Sequence, residues 1–422
     1  MSEVTRAPRS SPQDLTDWCL EALRGSNDVL PMRNVDLSKL TIVVPSKCRQ
    51  DYLLRQIRYW SATSAQLIIV DGTSLPIPSE VRHEVSTHPR IEYHHIPSSL
   101  NDRLHFAGGM IETPYAVMLS DDEFHLPTGL AASIRVLEGN PELAGCMGQV
   151  LSITPMGDRQ VGVFARAYPS LHGYNVRNSQ PAKRLVAAMA NYVPATCYAV
   201  LRTPIWESSW GSVGKFSSGA AMEIQQAMAV YLLGQFGTTA NVQWLRSSEN
   251  PTLASGTGEE DRKIWFSEWW NEKEYADERS DFCRQLADLA AEHSEVPHAE
   301  CAKWISSGAE AYVAGRLETR DLKESFGGLI PRALARTLAI LRTMAGGLPV
   351  PVYLRAKRVQ GQISRLLGRA DSGYFGSVKD LQRLNRACVQ DDRCDSVNEI
   401  ASVEAIVREF HSLRVAKSST PT

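Results

Sequence analysis

The chemistry-bearing stretch of this chain is Ser120-Asp121-Asp122-Glu123-Phe124, where adjacent acids follow the apolar run Tyr115-Ala116-Val117-Met118-Leu119. So short a run of continuous apolarity predicts a strand buried on both faces, as in a parallel sheet. Open α/β sheets bind ligands outside the carboxyl ends of their strands, which is where these acids would stand. Neighbouring carboxylates repel one another and are costly to keep ionised together unless a cation neutralises them. Oxygen ligands of this kind suit a hard divalent ion, Mg²⁺ or Mn²⁺, that bridges to substrate phosphates. An acidic surface loop is the competing reading, and the position after a buried strand favours a site. Asp71 ends a second apolar run, Gln66-Leu67-Ile68-Ile69-Val70, just before Gly72. A carboxylate there either opens a turn or accepts hydrogen bonds from a ribose or a base edge.

Glu223 sits early in Ser217–Leu233, a segment whose apolar residues run nearly all round a helix. A helix of that kind is buried. Glu223 shares a face with Ala227, Val230 and Tyr231, so desolvation could raise its pKa and make it a base near neutral pH. An acid favoured by the helix dipole is the alternative, and the residues alone leave both open. His172, Tyr174, Trp206 and Trp210 fall between the acids and Glu223 in stretches that read as loops. Exposed aromatics there would stack on sugar rings, although packing is the commoner role of each. Arg246 ends a strand-like run and could meet a diphosphate or pair with Glu249; His125 is a weaker ligand candidate beside the acids.

These residues need a scaffold, and the chain has the material for one. Of its 422 residues 43% are hydrophobic and 22% charged, ordinary for a protein with a real core. A net charge of −2 gives no bulk signal for nucleic acid. Cys19, Cys48, Cys146, Cys197, Cys283, Cys301, Cys388 and Cys394 are scattered without zinc-site spacing, which predicts free thiols in a reducing cytoplasm. No apolar run approaches the roughly 20 residues needed to span a bilayer. Strands are expected at Leu40–Pro45, Gln66–Thr73, Ile91–Ile96 and Tyr115–Leu119, with helices from Gln50 and over 103–112. This alternation predicts an α/β fold with a mostly parallel sheet and right-handed crossovers. Further helices are expected at 12–23, 128–139, 183–189 and Ser217–Leu233, and further strands at 143–153, 160–167, Pro194–Leu201 and 237–246. Residues 1–38 read as a tail and helix, 39–255 as the α/β domain, and 256–422 as a mainly helical region.

Thr41-Ile42-Val43-Val44-Pro45-Ser46, Val70-Asp71-Gly72-Thr73 and Tyr115 to Phe124, in this order and spacing, are a more specific signal together than singly. Over about residues 39–250 the chain resembles the nucleotide-sugar-binding half of family 2 glycosyltransferases, which have the GT-A, Rossmann-like fold. It is most similar to the bacterial subgroup with an Asp-Asp-Asp-Phe acidic motif. The resemblance implies a nucleotide-sugar donor, a glycan, lipid-linked or other hydroxyl acceptor, and a role in surface glycan or glycoconjugate synthesis. It implies that Pro45, Ser46 and Asp71 contact the nucleoside. Asp121 and Asp122 would meet the ribose and the diphosphate, and Asp122 or Glu123 would hold a divalent Mg or Mn ion. Asn101 and Arg103 fall where the family has a polar stretch facing the nucleotide, with a surface helix start as the plainer role for Arg103. Glu223 falls where relatives place an acidic catalytic base. Two departures stand out: Lys47-Cys48 precede Arg49 where the family has an aromatic and an amide, and Glu123 replaces an Asp.

Two other classes compete. A nucleotidyltransferase would want a Gly-rich basic loop after the first strand, and Pro45-Ser46-Lys47-Cys48-Arg49 has the bases but no glycine. A non-catalytic scaffold would not need to keep Asp71, Asp121 and Asp122. Finally, residues 325–370 hold Arg332, Arg336, Arg342, Arg355, Lys357, Arg358, Arg365 and Arg369 and no acid. A solvated helical face is the first reading of that segment, and peripheral contact with an anionic membrane at its inner face is the second.

Overall fold

The computed structural model describes residues 35–156, 161–250, 264–327, 374–376 and 393–419. Four strands form the parallel half of one sheet: β1 (Leu40–Ser46), β2 (Gln66–Asp71), β3 (Ile91–His95) and β4 (Tyr115–Met118), in the order β4-β1-β2-β3. Helices Gln50–Ser61, Ser79–Ser86 and Leu100–Gly108 make the crossovers between them. The helix Ser79–Ser86 is not among the sequence expectations; it is short, polar, and buries only Val81 and Val85. Register sets Ser46 beside Asp71, Asp71 beside His95, and Val43 beside Met118. The carboxyl ends of β1, β2 and β4 therefore share one edge.

The other half of the sheet is mixed. β5 (Phe124–His125), β6 (Leu143–Met156), β7 (Val161–Ala167), β8 (Val200–Arg202), β9 (Gln235–Ser247) and β10 (Tyr374–Gly376) complete it. β8 joins the halves by pairing antiparallel with both β4 and β6, and β9 runs parallel to β6 and antiparallel to β5. The expected strand at Pro194–Leu201 is shorter than its apolarity suggests. Its first part closes a 3-10 turn at Thr196–Tyr198, and the bonds Tyr198 N–H to Ala195 and Ala199 N–H to Thr196 use backbone groups that a strand would offer to neighbours. Next comes the helix Thr203–Gly211, which carries Trp206 and Trp210 into the core and not into a loop.

Alternation along β1 and β2 builds a core on each face of the sheet. Val43, Ile68 and Val70 face Trp206, Ile224 and Val230 of the helices Thr203–Gly211 and Gly219–Leu233. Phe282, Leu286 and Ile305 of the helices Ala276–Glu292 and His298–Gly327 join that core. Ile42, Val44 and Ile69 face Leu53, Ile57, Leu130 and Ile134 on the other side. There the last helix, Arg393–Ser419, adds Val403, Val407 and Phe410. The described helices after residue 264 thus pack against both faces of the sheet. The expected helix at 12–23, and the basic segment 325–370 beyond Gly327, lie outside the described residues. Among the described residues no helix is long and apolar enough to cross a membrane. Cys48, Cys146, Cys197, Cys283 and Cys301 are free thiols.

Candidate functional site

The shared strand edge is fastened by side chains. Gly72 N–H donates to the Ser46 carbonyl at 2.7 Å, and Arg103 Nη1 donates to that same carbonyl and to Val70 at 3.0 Å. A Cβ on residue 72 would lie 2.7 Å from the Arg103 guanidinium carbon, so the glycine is what lets Arg103 pass beneath β2. Asp71 is fully buried. Its Oδ2 accepts from Gln50 Nε2 at 2.6 Å and the Tyr93 hydroxyl at 2.7 Å, and its Oδ1 accepts from Thr73 N–H at 2.9 Å. Burial, with the Asp71 charge beside it, drives the Tyr93 hydroxyl far above its ordinary range, so it stays a donor. Pro45 is half-buried on β1 opposite Val70.

Beyond β4 the chain makes a tight turn, closed by Glu123 N–H to the Ser120 carbonyl at 3.1 Å. The helix Gln50–Ser61 holds this turn by its backbone. Gln56 Nε2 donates to the carbonyls of Asp121 and Glu123 at 3.0 and 2.6 Å, and Arg55 Nη2 donates to that of Asp122 at 2.9 Å. Arg55 is itself buried against Glu249 at 2.8 Å and beneath the Tyr52, Phe124 and Phe410 rings. With the backbone fixed, the three carboxyls diverge. Asp121 Oδ2 accepts from the Ser46 hydroxyl at 2.7 Å. Asp122 accepts from the Ser120 hydroxyl at 2.8 Å and from Asn250 Nδ2 at 2.9 Å. Glu123 Oε2 accepts from the Trp244 indole at 3.0 Å, on β9.

A cation does sit between the first two acids, and it belongs to the chain. Arg49 Nη1 lies 3.1 Å from Asp121 Oδ1 and 3.3 Å from Asp122 Oδ2. Asp121 Oδ1 is buried and makes no hydrogen bond, so the 3.1 Å approach is an ion pair without the alignment of one. Burial pushes the Asp121 carboxyl up to about 7 against the opposing pull of Arg49. Burial and the Asp122 charge push Glu123 well above the carboxylate range. Glu123 spends one oxygen on the Trp244 indole, and a Mg²⁺ or Mn²⁺ site needs several oxygens on one point. Among the described residues no group of three His, Cys, Asp or Glu side chains converges in that way. Asp122 and Glu123, either of which was expected to hold the ion, are turned to different partners in this arrangement.

Glu223 stands at the start of the helix Gly219–Leu233, capped by the Ser218 hydroxyl. It is half-buried and accepts a 2.8 Å hydrogen bond from the Tyr192 hydroxyl. Burial and the Glu223 charge raise Tyr192 well above its ordinary range, so the phenol keeps its proton. Burial raises the Tyr198 hydroxyl, and the charges of Glu123, Asp122 and Glu223 add to the shift. Burial lifts Tyr168 to about 12, with Glu123 and Glu223 contributing and Arg246 opposing. Tyr198 and Tyr168 both stack on Trp244, at 4.1 and 5.9 Å between ring centroids. Tyr168 has a left-handed φ of 48°, an uncommon conformation for a side chain of its size. Its other neighbour is a cavity of about 850 Å³ whose lining includes Tyr168, Tyr174, Asn191, Tyr192, Tyr312 and Arg316.

The structure brings Ser46, Asp71, Asp121 and Asp122 to one edge. Asn101 and Arg103 lie deeper: Arg103 is a clamp on strand-end carbonyls, and Asn101 donates to the Gly214 carbonyl at 2.8 Å and to Met222 Sδ, one residue before Glu223. His125 is fully buried between the carbonyls of Met118 and Gln243, and burial lowers it to about 4. A neutral imidazole has one N–H, so His125 donates to one of these carbonyls and only packs against the other. Trp206 and Trp210 are core residues, and Tyr174 bonds the Tyr231 hydroxyl at 3.0 Å beside the cavity, while His172 is exposed. Arg246 lies over the Tyr168 ring, and Glu249 pairs with Arg55 and His411 in its place. Sequence reading missed Arg49, Gln50, Tyr93, Tyr192, Trp244 and Asn250. Of these only Arg49 gave a signal, as the departure after the first strand.

No protein-family model matches the sequence, and no curated protein matches it. Solved structures are similar to it. TarS of S. aureus in complex with UDP-GlcNAc has a TM-score of 0.41 at 10% identity, over 67% of this chain and 92% of that one. The mannosyltransferase PcManGT from Pyrobaculum calidifontis, in complex with GDP-Man and Mn²⁺, has a TM-score of 0.35 at 14% identity, over 96% of this chain and 94% of that one. At these identities and scores the likeness says nothing of substrate or metal.

Proposed function

We propose that the chain moves a sugar from a nucleoside diphosphate donor to an acceptor hydroxyl, with inversion at the anomeric carbon. One observation carries the reading: Glu223 and the acid turn stand on different elements and meet along one wall, from Tyr192 on Glu223, through the cavity that Tyr192 and Tyr168 line, to Trp244 under Tyr168 and Glu123 on its indole. An inverting transfer needs that division, with a base on one side of the reacting carbon and the leaving diphosphate on the other. In this reading the nucleoside lies on Pro45, Ser46 and the edge that Asp71 organises, and the diphosphate lies toward Asp121 and Asp122. Glu223 takes the acceptor proton, held in place by the Tyr192 hydroxyl. The tyrosine-lined cavity receives the acceptor, since aromatic rings and amides suit a sugar. Asn101 and Arg103 serve the donor by fixing the strand edge and the start of the Glu223 helix.

A panel of UDP- and GDP-sugars tested for thermal stabilisation checks this. A ligand that binds only the folded chain raises its melting temperature. The donor class should stabilise the chain and be turned over slowly without an acceptor. If no nucleotide sugar raises the melting temperature, the reading fails.

A further inference from the structure

We propose that Arg49 takes the place of a divalent cation at this site: clamped between Asp121 and Asp122, its guanidinium receives the donor diphosphate, and donor binding needs no metal. The proposal rests on the glycosyltransferase reading and goes beyond it by assigning the phosphate-binding charge. Three observations carry it. The carboxyls that would share an ion diverge, with Asp122 held by Ser120 and Asn250 and Glu123 turned to Trp244. Arg49 Nη1 lies within ion-pair distance of both Asp121 and Asp122, so a positive charge already stands beside the two acids.

The third observation is the turn that delivers the arginine. Cys48 has a left-handed φ of 58°, and its N–H is held by the Thr73 hydroxyl at 2.9 Å. That turn bends the chain sharply after β1 and sets Arg49 over the strand edge, with the exposed Lys47 beside it. Guanidinium has five N–H donors in a planar fork that matches phosphate oxygens. Nη1 is the nitrogen that meets the acids, and the rest of the fork is what the proposal gives to an anion. Asp121 and Asp122 then act as positioning residues that orient the fork.

Calorimetric titration of the full chain with UDP and with GDP, in chelator and in Mn²⁺, tests this. Electron paramagnetic resonance of added Mn²⁺ reads the ion directly. Wild type should bind one of the nucleotides in chelator, with Mn²⁺ changing the Kd less than about threefold. Arg49→Gln should weaken binding in chelator about tenfold or more, the range expected for loss of a charge-assisted bidentate contact, and Arg49→Lys should recover part of it. Arg49→Gln also leaves the two acids uncompensated, so it should take up more Mn²⁺ than wild type does. Wild-type binding that appears only with Mn²⁺ overturns the proposal, as does an Arg49→Gln variant that binds in chelator like wild type. Should neither nucleotide bind under either condition, the glycosyltransferase reading fails first and takes the proposal with it.

Discussion

Replacing Glu249 by Gln tests how the last helix is fastened to the acid turn. Burial alone would raise this carboxyl, but Arg55 at 2.8 Å and the His411 ring outweigh it and hold it at about 2, against 4.5 for a free glutamate. A difference of that size corresponds to on the order of 3 kcal/mol, at about 1.4 kcal/mol per pH unit. The folded value is the lower one. The stabilisation is therefore fully present above pH 4.5 and is lost as the pH falls toward 2. Roughly two thirds of it should be gone by pH 3. In the Gln variant, Arg55 keeps its charge in a site only 2% exposed, which at neutral pH should cost about 3–5 kcal/mol. Urea unfolding of both proteins from neutral pH to pH 3 measures this. The gap between them should narrow by about 2 kcal/mol on acidification, because wild type loses what the variant never had. A gap that stays constant with pH would refute the reasoning. The same variant should loosen Asp122, whose carbonyl Arg55 also holds.

Three further perturbations test the site. Glu223→Gln should lower kcat by about 10²–10⁴-fold and leave donor affinity unchanged, since a base acts in the transition state; an unchanged kcat returns Glu223 to a helix-dipole role. Asp122→Ala releases both Arg49 and Asn250, so transfer should fall by orders of magnitude while far-ultraviolet circular dichroism stays at the wild-type spectrum. Normal turnover in that variant would move the site elsewhere. Gly72→Ala sets a methyl 2.7 Å from the Arg103 guanidinium and should cost about 1–3 kcal/mol in urea unfolding; an unshifted midpoint would show that the clamp can move.

What was legible in the sequence is what short-range pattern records. β1, β2 and β4 announce themselves because a strand buried on both faces is a run of Ile, Val and Leu, and acids that end such runs must lie at a sheet edge. The helix Thr203–Gly211 had a signal that went unused: Pro204 at its first turn, and Trp206 and Trp210 one helical turn apart. Other features leave no local trace. Arg55 and Glu249 are 194 positions apart, and no spacing rule links a basic residue on the first helix to an acid past the last long strand. Arg49 was visible only as an oddity, because its place depends on the Cys48 backbone and on the register of β1 with β2.

The acid cluster shows where such reading stops. Adjacency in sequence suggests that Asp121, Asp122 and Glu123 serve one centre, but a tight turn points successive side chains in different directions. Asp121 meets Ser46 of β1, Asp122 meets Asn250 past the end of β9, and Glu123 meets Trp244 within it. Asp121 and Asp122 share the Arg49 guanidinium, and two buried carboxyls beside one guanidinium make a different electrostatic object from three carboxylates awaiting an ion. The longer side chain of Glu123 matters in this. A glutamate reaches the indole of Trp244 from a turn held by Gln56, and the acid so engaged leaves the cluster and becomes part of the wall around Tyr168 and Tyr198. Among the described residues, Arg49 is the cation within ion-pair distance of both Asp121 and Asp122.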